Sequence, residues 1–190
     1  MSYNETATHV YFWGSYLSNF ATAPFDYQFF PSGPIVRVPT SEHGFMALKA
    51  LEFGDLEAFE NVFEKQVPFG TKPTTPAEAK AVGRTVKGFD PTVWDHKSYQ
   101  HMFDVCVQKF AQNEDLKEQL IGTIGKTLVE GSPVDRIWGV GLACDDPKIL
   151  DEANWKGENR LGKILMQVRW SLHRHPDNLQ YNPSKVLGTL

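Results

Sequence analysis

The sequence predicts an α+β fold, a mostly helical single domain with a small β-sheet. Three observations carry this. Apolar residues recur at helical spacing in several separate stretches, capping residues stand in front of those stretches, and the few segments that read as strands are short. The 190 residues suffice for one sizeable core. At 41% hydrophobic and 13% aromatic, the chain is not of the disordered class.

In chain order, Val10-Tyr11-Phe12-Trp13 reads as a buried strand that Gly14 ends. Asn19 and Phe20 follow in a loop, and residues 29–39, broken by Pro31, Gly33 and Pro34, read as a loose hairpin. The first clear helix starts near Ser41, with Phe45, Met46, Lys49, Ala50 and Phe53 at helical spacing and Gly54 as its stop. Asp55 caps a second helix, whose buried face is Leu56, Phe59, Val62 and Phe63. Thr75-Pro76-Ala77-Glu78 is a capping box with proline in the first turn, and that helix runs to about Lys87. A helix over residues 97–112 turns Tyr99, Met102, Phe103, Cys106 and Phe110 inward, and Asn113 caps a short one through Leu116 and Leu120. Residues 127–130 and 136–140 read as two strands about a Gly-Ser-Pro turn. The last long helix opens near Gly157-Glu158-Asn159 and carries Leu161, Ile164, Leu165, Val168 and Leu172 on one face. The domain is thus residues 1–173, and 174–190 is a tail dominated by Pro, Asn and Ser.

The net charge is −4 with a pI near 5.9, and no basic stripe is visible, so long nucleic-acid tracts should bind weakly. A nucleotide-like small ligand is the easier reading, or a single modified base held by a local patch. No apolar run approaches a membrane span, and the polar first nine residues carry no secretory pattern. Cys106 and Cys144 form no CxxC and imply no disulfide framework, which suits a reducing, cytoplasmic compartment. With no HExxH, Walker loop or GxSxG, neither a metal nor a cofactor is expected.

Polar groups with apolar neighbours are the candidates for chemistry. Glu42 and His43 open the first helix, where the helix dipole favours a carboxylate. Glu42 is either a helix-start acid or a general acid/base or ribose ligand, and His43 leans further toward packing. Lys49, two turns on, can project from the same face, among Ala47, Leu48, Ala50 and Leu51. It is either a snorkelling lysine or an amine nucleophile favoured by desolvation. Residues 130–141 place Glu130, Asp135 and Trp138 beside Gly139 and Gly141, which permit close backbone approach of a ligand. An ordinary hairpin with a core tryptophan is the other reading. Gly157-Glu158-Asn159 opens a helix whose free N–H groups can take a phosphate.

Taken in order, these segments resemble the NADAR family, which includes the YbiA-like N-glycosidases. The likeness spans about residues 10 to 172. It rests on Leu17-Ser18-Asn19-Phe20, on Glu42-His43 with Lys49, on Glu78-Ala79-Lys80 with Gly83-Arg84, and on Trp94-Asp95 and Lys109-Phe110. It continues through Glu130 to Asp135, Trp138-Gly139, Gly141-Leu142 and Gly157-Glu158-Asn159-Arg160-Leu161-Gly162. Departures are Gly44 where the family has a large aromatic, Met46 and Leu48 where glutamines are common, and Ile124 where glycine is usual.

The resemblance implies cleavage of a ribose C1′–nitrogen bond, in either of two substrate groups: ribosylamino-pyrimidine intermediates of riboflavin synthesis, or ADP-ribose on guanine in nucleic acid. A non-catalytic ADP-ribose-binding module is the rival, disfavoured by the joint presence of Glu42, Lys49 and Asp135. On this reading Glu42 transfers a proton or stabilises the oxocarbenium ion, Lys49 attacks C1′ through an imine, and Asp135 activates water or holds ribose hydroxyls. Trp94 and Trp138 shape the base pocket, and Asn19, Arg84 and Asn159 orient ribose or phosphate oxygens. Phe20, His43, Glu130, Gly139 and Gly141 complete the ligand-binding set. Gly44 is expected to widen the pocket beside Glu42, which favours ADP-ribosylated guanine, free or in DNA or RNA.

Overall fold

A computed structural model describes residues 2–175. The tail assigned to 174–190 lies outside the described residues but for Arg174 and His175. The architecture is α+β, as the sequence predicts. Strand β1 (Ser2–Glu5) pairs antiparallel with β2 (His9–Trp13), and β2 pairs parallel with β7 (Thr127–Glu130). Alternation along β2 and β7 supplies two cores. Val10, Phe12 and Leu128 enter the main one. Tyr11 and Val129 enter a smaller one with Val140, Leu142, Cys144 and Ile149.

The main core lies among three helices: α1 (Ser41–Glu52), α4 (Pro91–Ala111) and α6 (Arg160–Arg174). Helix α2 (Leu56–Phe63) and α3 (Pro76–Gly83) pack on α1, and α5 (Glu114–Gly122) packs against α4 and α6. Thr40 caps α1, Asp55 caps α2, and Thr75 and Glu78 close the capping box of α3. No helix among the described residues is long and apolar enough to cross a membrane. Both cysteines are free and buried.

Several expectations need correction. The hairpin expected over residues 29–39 is β3 (Phe25–Tyr27) with β4 (Val36–Val38), earlier and wider. Leu56 is exposed, because the buried face of α2 is set by Ala58 and Val62. Helix α3 stops at Gly83, short of Lys87. Helix α4 starts at Pro91, ahead of residue 97, with Asp90 as its cap. An exposed hairpin, β5 (Glu64–Val67) with β6 (Gly70–Pro73), follows α2.

Residues 136–140 are not a strand. Their carbonyls turn to the start of α6, where Arg136, Ile137, Trp138 and Gly139 accept from the N–H groups of Glu158, Arg160, Leu161 and Asn159. Those donors are therefore spent, and the phosphate site expected at this helix start is not free. A Cβ on Gly157 would stand 2.3 Å from the Gly139 carbonyl, so only glycine lets the two segments meet.

Candidate active site

Glu42 is the second residue of α1. Its N–H donates to the Asn19 carbonyl at 3.0 Å, and Thr40 receives the His43 N–H. The helix start is thus satisfied by backbone and cap, and nothing among the described residues hydrogen-bonds the Glu42 carboxyl. That side chain is 4% exposed. Burial pushes its pKa up to about 7, with Asp135 adding to the rise and Lys80 and Arg84 opposing it.

Two further carboxylates join it. Glu130 ends β7, and its Oε2 is shut off from water with no hydrogen-bond partner. Burial pushes this carboxyl up to about 8, helped by Asp135 and Glu42 and opposed by Lys80. Asp135 is held differently. Its Oδ1 accepts the N–H groups of Ile137 at 3.0 Å and Trp138 at 2.8 Å, which fixes the carboxylate toward the other two acids. A buried polar atom without a partner is costly, and with a pKa of about 8 the Glu130 carboxyl keeps its proton at neutral pH, which lessens that cost.

Lys80 was missed by the sequence reading. It is the cation that acts on both Glu42 and Glu130, and its Nζ lies 5.6 Å over the Phe20 ring. The signal was available in the cap of α3: with Thr75 fixing the start, Lys80 and Arg84 fall one turn apart on one face.

The expected residues divide into two sets. Glu42, Glu130, Asp135, Phe20 and Arg84 converge with Lys80. The Lys49 Nζ donates to the carbonyl of Gly83, the residue before Arg84, at 2.7 Å and lies 4.1 Å from the Phe89 ring centroid and 5.4 Å from that of Trp94. Desolvation lowers its pKa. Phe45 stands between the two tryptophans, 5.0 Å from Trp94 and 5.1 Å from Trp138, so the rings form one aromatic wall.

Four residues expected at the ligand have structural work in the fold. His43 is buried, with Nδ1 on the Thr40 hydroxyl and Nε2 on Thr74, and desolvation disfavours its charged form. Asn159 donates from Nδ2 to the Leu128 carbonyl and accepts at Oδ1 from the Glu130 N–H, so both ends of its amide hold β7 beside the start of α6. Gly139 is packed on the Glu130 carbonyl, with no room for a Cβ, while Gly141 takes a positive φ of 71°.

The Gly44 expectation is overturned. A Cβ there would meet Val105, Phe25 and Val38, which lie in the core between α1, α4 and the β3–β4 hairpin. Gly44 therefore lets α1 pack closely and does not widen a pocket beside Glu42.

Among the described residues, no group of three or more His, Cys, Asp or Glu is arranged to hold a metal ion. What the arrangement offers is proton chemistry next to fixed charge: two carboxyls with raised pKa values, a carboxylate held by backbone donors, and a lysine facing them.

The model of the NADAR domain family matches residues 11–173. N-glycosidase R617 of Acanthamoeba polyphaga mimivirus is 40% identical over 136 residues, covering 68% of this chain and 72% of that protein. The Zea mays protein named riboflavin biosynthesis protein PYRR, chloroplastic, is 33% identical over 156 residues, 80% of this chain but only 20% of that protein. The NMR structure of the E. coli protein YbiA superposes with a TM-score of 0.66 at 28% identity, over 94% of this chain and 93% of that one.

Proposed function

The chain belongs to the NADAR domain family, and from that premise we propose that it is an N-glycosidase that hydrolyses a ribose C1′–N bond, removing ADP-ribose from ADP-ribosylated guanine. The observation that carries the reading is the convergence of Glu42, Glu130 and Asp135 around an unpartnered carboxyl oxygen, with Lys80 beside them.

Breaking the bond requires a proton for the leaving nitrogen and negative charge facing a sugar that becomes oxocarbenium-like. Glu42, kept protonated by burial to about pH 7, is the acid. Asp135, held by two N–H donors, faces the developing cation and receives the proton of the attacking water. The water oxygen joins C1′, the bonding pair leaves on the base nitrogen, and the proton of Glu42 completes the free base. Glu130 Oε2 takes a ribose hydroxyl. Lys80 and Arg84 answer the phosphate charge.

Two separate aromatic surfaces favour a substrate with two bases. Phe20 lies under Lys80, and Trp94 and Trp138, backed by the buried Phe45, form the other surface. In a covalent version of the reaction the Lys49 amine, uncharged more readily for its desolvation, attacks C1′ as the base leaves with the bonding pair and the Glu42 proton. The amine gives a proton to Asp135, the C1′–O4′ bond opens to an imine with O4′ protonated, and water hydrolyses the imine to return the amine and free ADP-ribose.

The test is to incubate the pure protein with ADP-ribosylated guanine, free and in a short oligonucleotide, and with a ribosylamino-pyrimidine phosphate at equal concentration, and to measure the released base. Release from the guanine substrate at least about tenfold faster is expected. Faster cleavage of the small pyrimidine moves the assignment to the riboflavin-type reaction, and no cleavage of any of them leaves a binding module. Borohydride during turnover should place a sugar adduct on the Lys49 peptide. An adduct on Lys80 instead, or none, removes the covalent role from Lys49.

A further inference from the structure

Lys109 is a cation in the core with no acid to pair with among the described residues. It sits in the last turn of α4, 1% exposed, and forms no ion pair among the described residues. Burying a charge is expensive, and an apolar residue of similar volume is often as stable or more so at such a place. What the ammonium does is hold backbone: Nζ donates to the Tyr16 carbonyl at 2.7 Å and to the Ser18 carbonyl at 2.9 Å.

That segment is the loop that leaves β2 at Gly14 and reaches the acid cluster. It is folded on itself, with the Ser18 N–H on the Ser15 carbonyl and the Ala21 N–H on the Ser18 carbonyl. Its next residue, Asn19, gives the carbonyl that receives the Glu42 N–H, and Phe20 is the ring under Lys80. The Tyr16 ring meets Phe110, the neighbour of Lys109, edge to face at 6.5 Å. One ammonium on α4 therefore fixes the loop that carries both the backbone seat of Glu42 and the aromatic floor of Lys80.

We infer that Lys109 is a positioning residue, whose ammonium clamps the Tyr16 and Ser18 carbonyls and so sets the Asn19–Glu42 and Phe20–Lys80 contacts of the reacting site. This rests on the N-glycosidase reading for its catalytic consequence, but not for the clamp itself. Without the ammonium, the Tyr16 carbonyl loses its donor, the Ser18 carbonyl keeps only the Ala21 N–H, and the loop rearranges to find another donor.

The experiment compares Lys109→Met, Lys109→Gln and Lys109→Arg with the unsubstituted protein. Turnover and KM are measured per folded molecule, and amide hydrogen exchange is followed in residues 14–22 and at Glu42 without any substrate. For Lys109→Met, kcat should fall about tenfold or more and KM should rise, the cost of a small misplacement of reacting groups. Exchange should quicken in residues 14–22 and at Glu42 and stay unchanged in α5. Lys109→Gln, able to serve one carbonyl, should be intermediate, and Lys109→Arg, which keeps charge and donors, should be nearest the unsubstituted protein. A folded Lys109→Met, or a folded Lys109→Gln should Lys109→Met not fold, with kcat and KM within about twofold and an unchanged loop exchange overturns the inference. If the unsubstituted protein cleaves no substrate while Lys109→Met frees the loop, the N-glycosidase reading falls and the clamp stands.

Discussion

At the start of α1, Glu42 is almost wholly buried and nothing among the described residues hydrogen-bonds its carboxyl; at the start of α6, Asn159 is 2% exposed and both ends of its amide are taken. Both residues are polar, both sit where a helix leaves donors to satisfy, and both lie in the family's motifs. Asn159 also adopts a left-handed φ of 54°, the one such non-glycine residue among those described. The difference lies in what is left over. Asn159 uses its side chain to tie β7 to α6 and thereby to aim Glu130. Around Glu42 the loop carbonyl of Asn19 and the Thr40 cap do the structural work, and the carboxyl is left out of it. A buried polar group shows its role by its unspent atoms more than by its position in a motif.

The largest effect that tests this comparison is on turnover. Glu42→Gln keeps size and burial and removes the proton, so kcat should fall by about a hundredfold or more, the usual loss of an acid–base group. The urea midpoint at about pH 6 should stay the same or rise. A folded Glu42→Gln protein with full activity would show that the free carboxyl is not used.

Asn159→Ala should act on stability first. It leaves the Glu130 N–H and the Leu128 carbonyl unpaired and puts a Cβ residue into left-handed backbone, costing about 3 kcal/mol. Asn159→Gly keeps the backbone conformation and should cost less. Urea unfolding of the two variants separates the hydrogen bonds from the strain, and equal losses would mean that φ contributes nothing.

The acid also has a stability signature. The Glu42 carboxyl is held at about 7 in the folded protein against 4.5 unfolded, so over that window the folded state keeps a proton that the unfolded state releases. Stability contributed by this group is therefore full below about pH 4.5 and declines as pH rises to about 7. Glu42→Gln has no such decline. From about pH 4.5 to about pH 8 it should gain about 2–3 kcal/mol relative to the unsubstituted protein, read from urea midpoints at the two values. A constant difference would mean that the Glu42 carboxyl is paired by some group in solution. The smallest effect is expected from metal removal: dialysis against EDTA should leave turnover unchanged, and a loss restored by a divalent ion would put a metal among the three acids.

Much of the fold was legible because its signals are local. Asp55 and the Thr75–Glu78 box set their helix starts from residues within one turn, and β2 and β7 announce themselves as short apolar runs. Helix α4 was read late because apolar periodicity was followed. Its first two turns are largely exposed and show little of it, although Asp90 and Pro91 are a sound start. The β5–β6 hairpin escaped because its strands are exposed, leaving no apolar alternation to detect. Residues 136–140 look like a strand in composition but spend their carbonyls on α6, a choice that depends on Gly157 being close enough to meet them.

The sequence by itself determined the α+β class, the helix caps, the family pattern and the acids Glu42, Glu130 and Asp135, since each is a property of residue types at short spacing. Tertiary structure decided what each motif residue contacts. It turned Gly44 into the core, spent His43 and Asn159 on hydrogen bonds, set Lys49 against Gly83 and Phe89, and brought Lys80 to the acids. Those outcomes depend on which distant segments packing brings within about 3 Å, and a hydrogen bond forms or fails over a few tenths of an ångström.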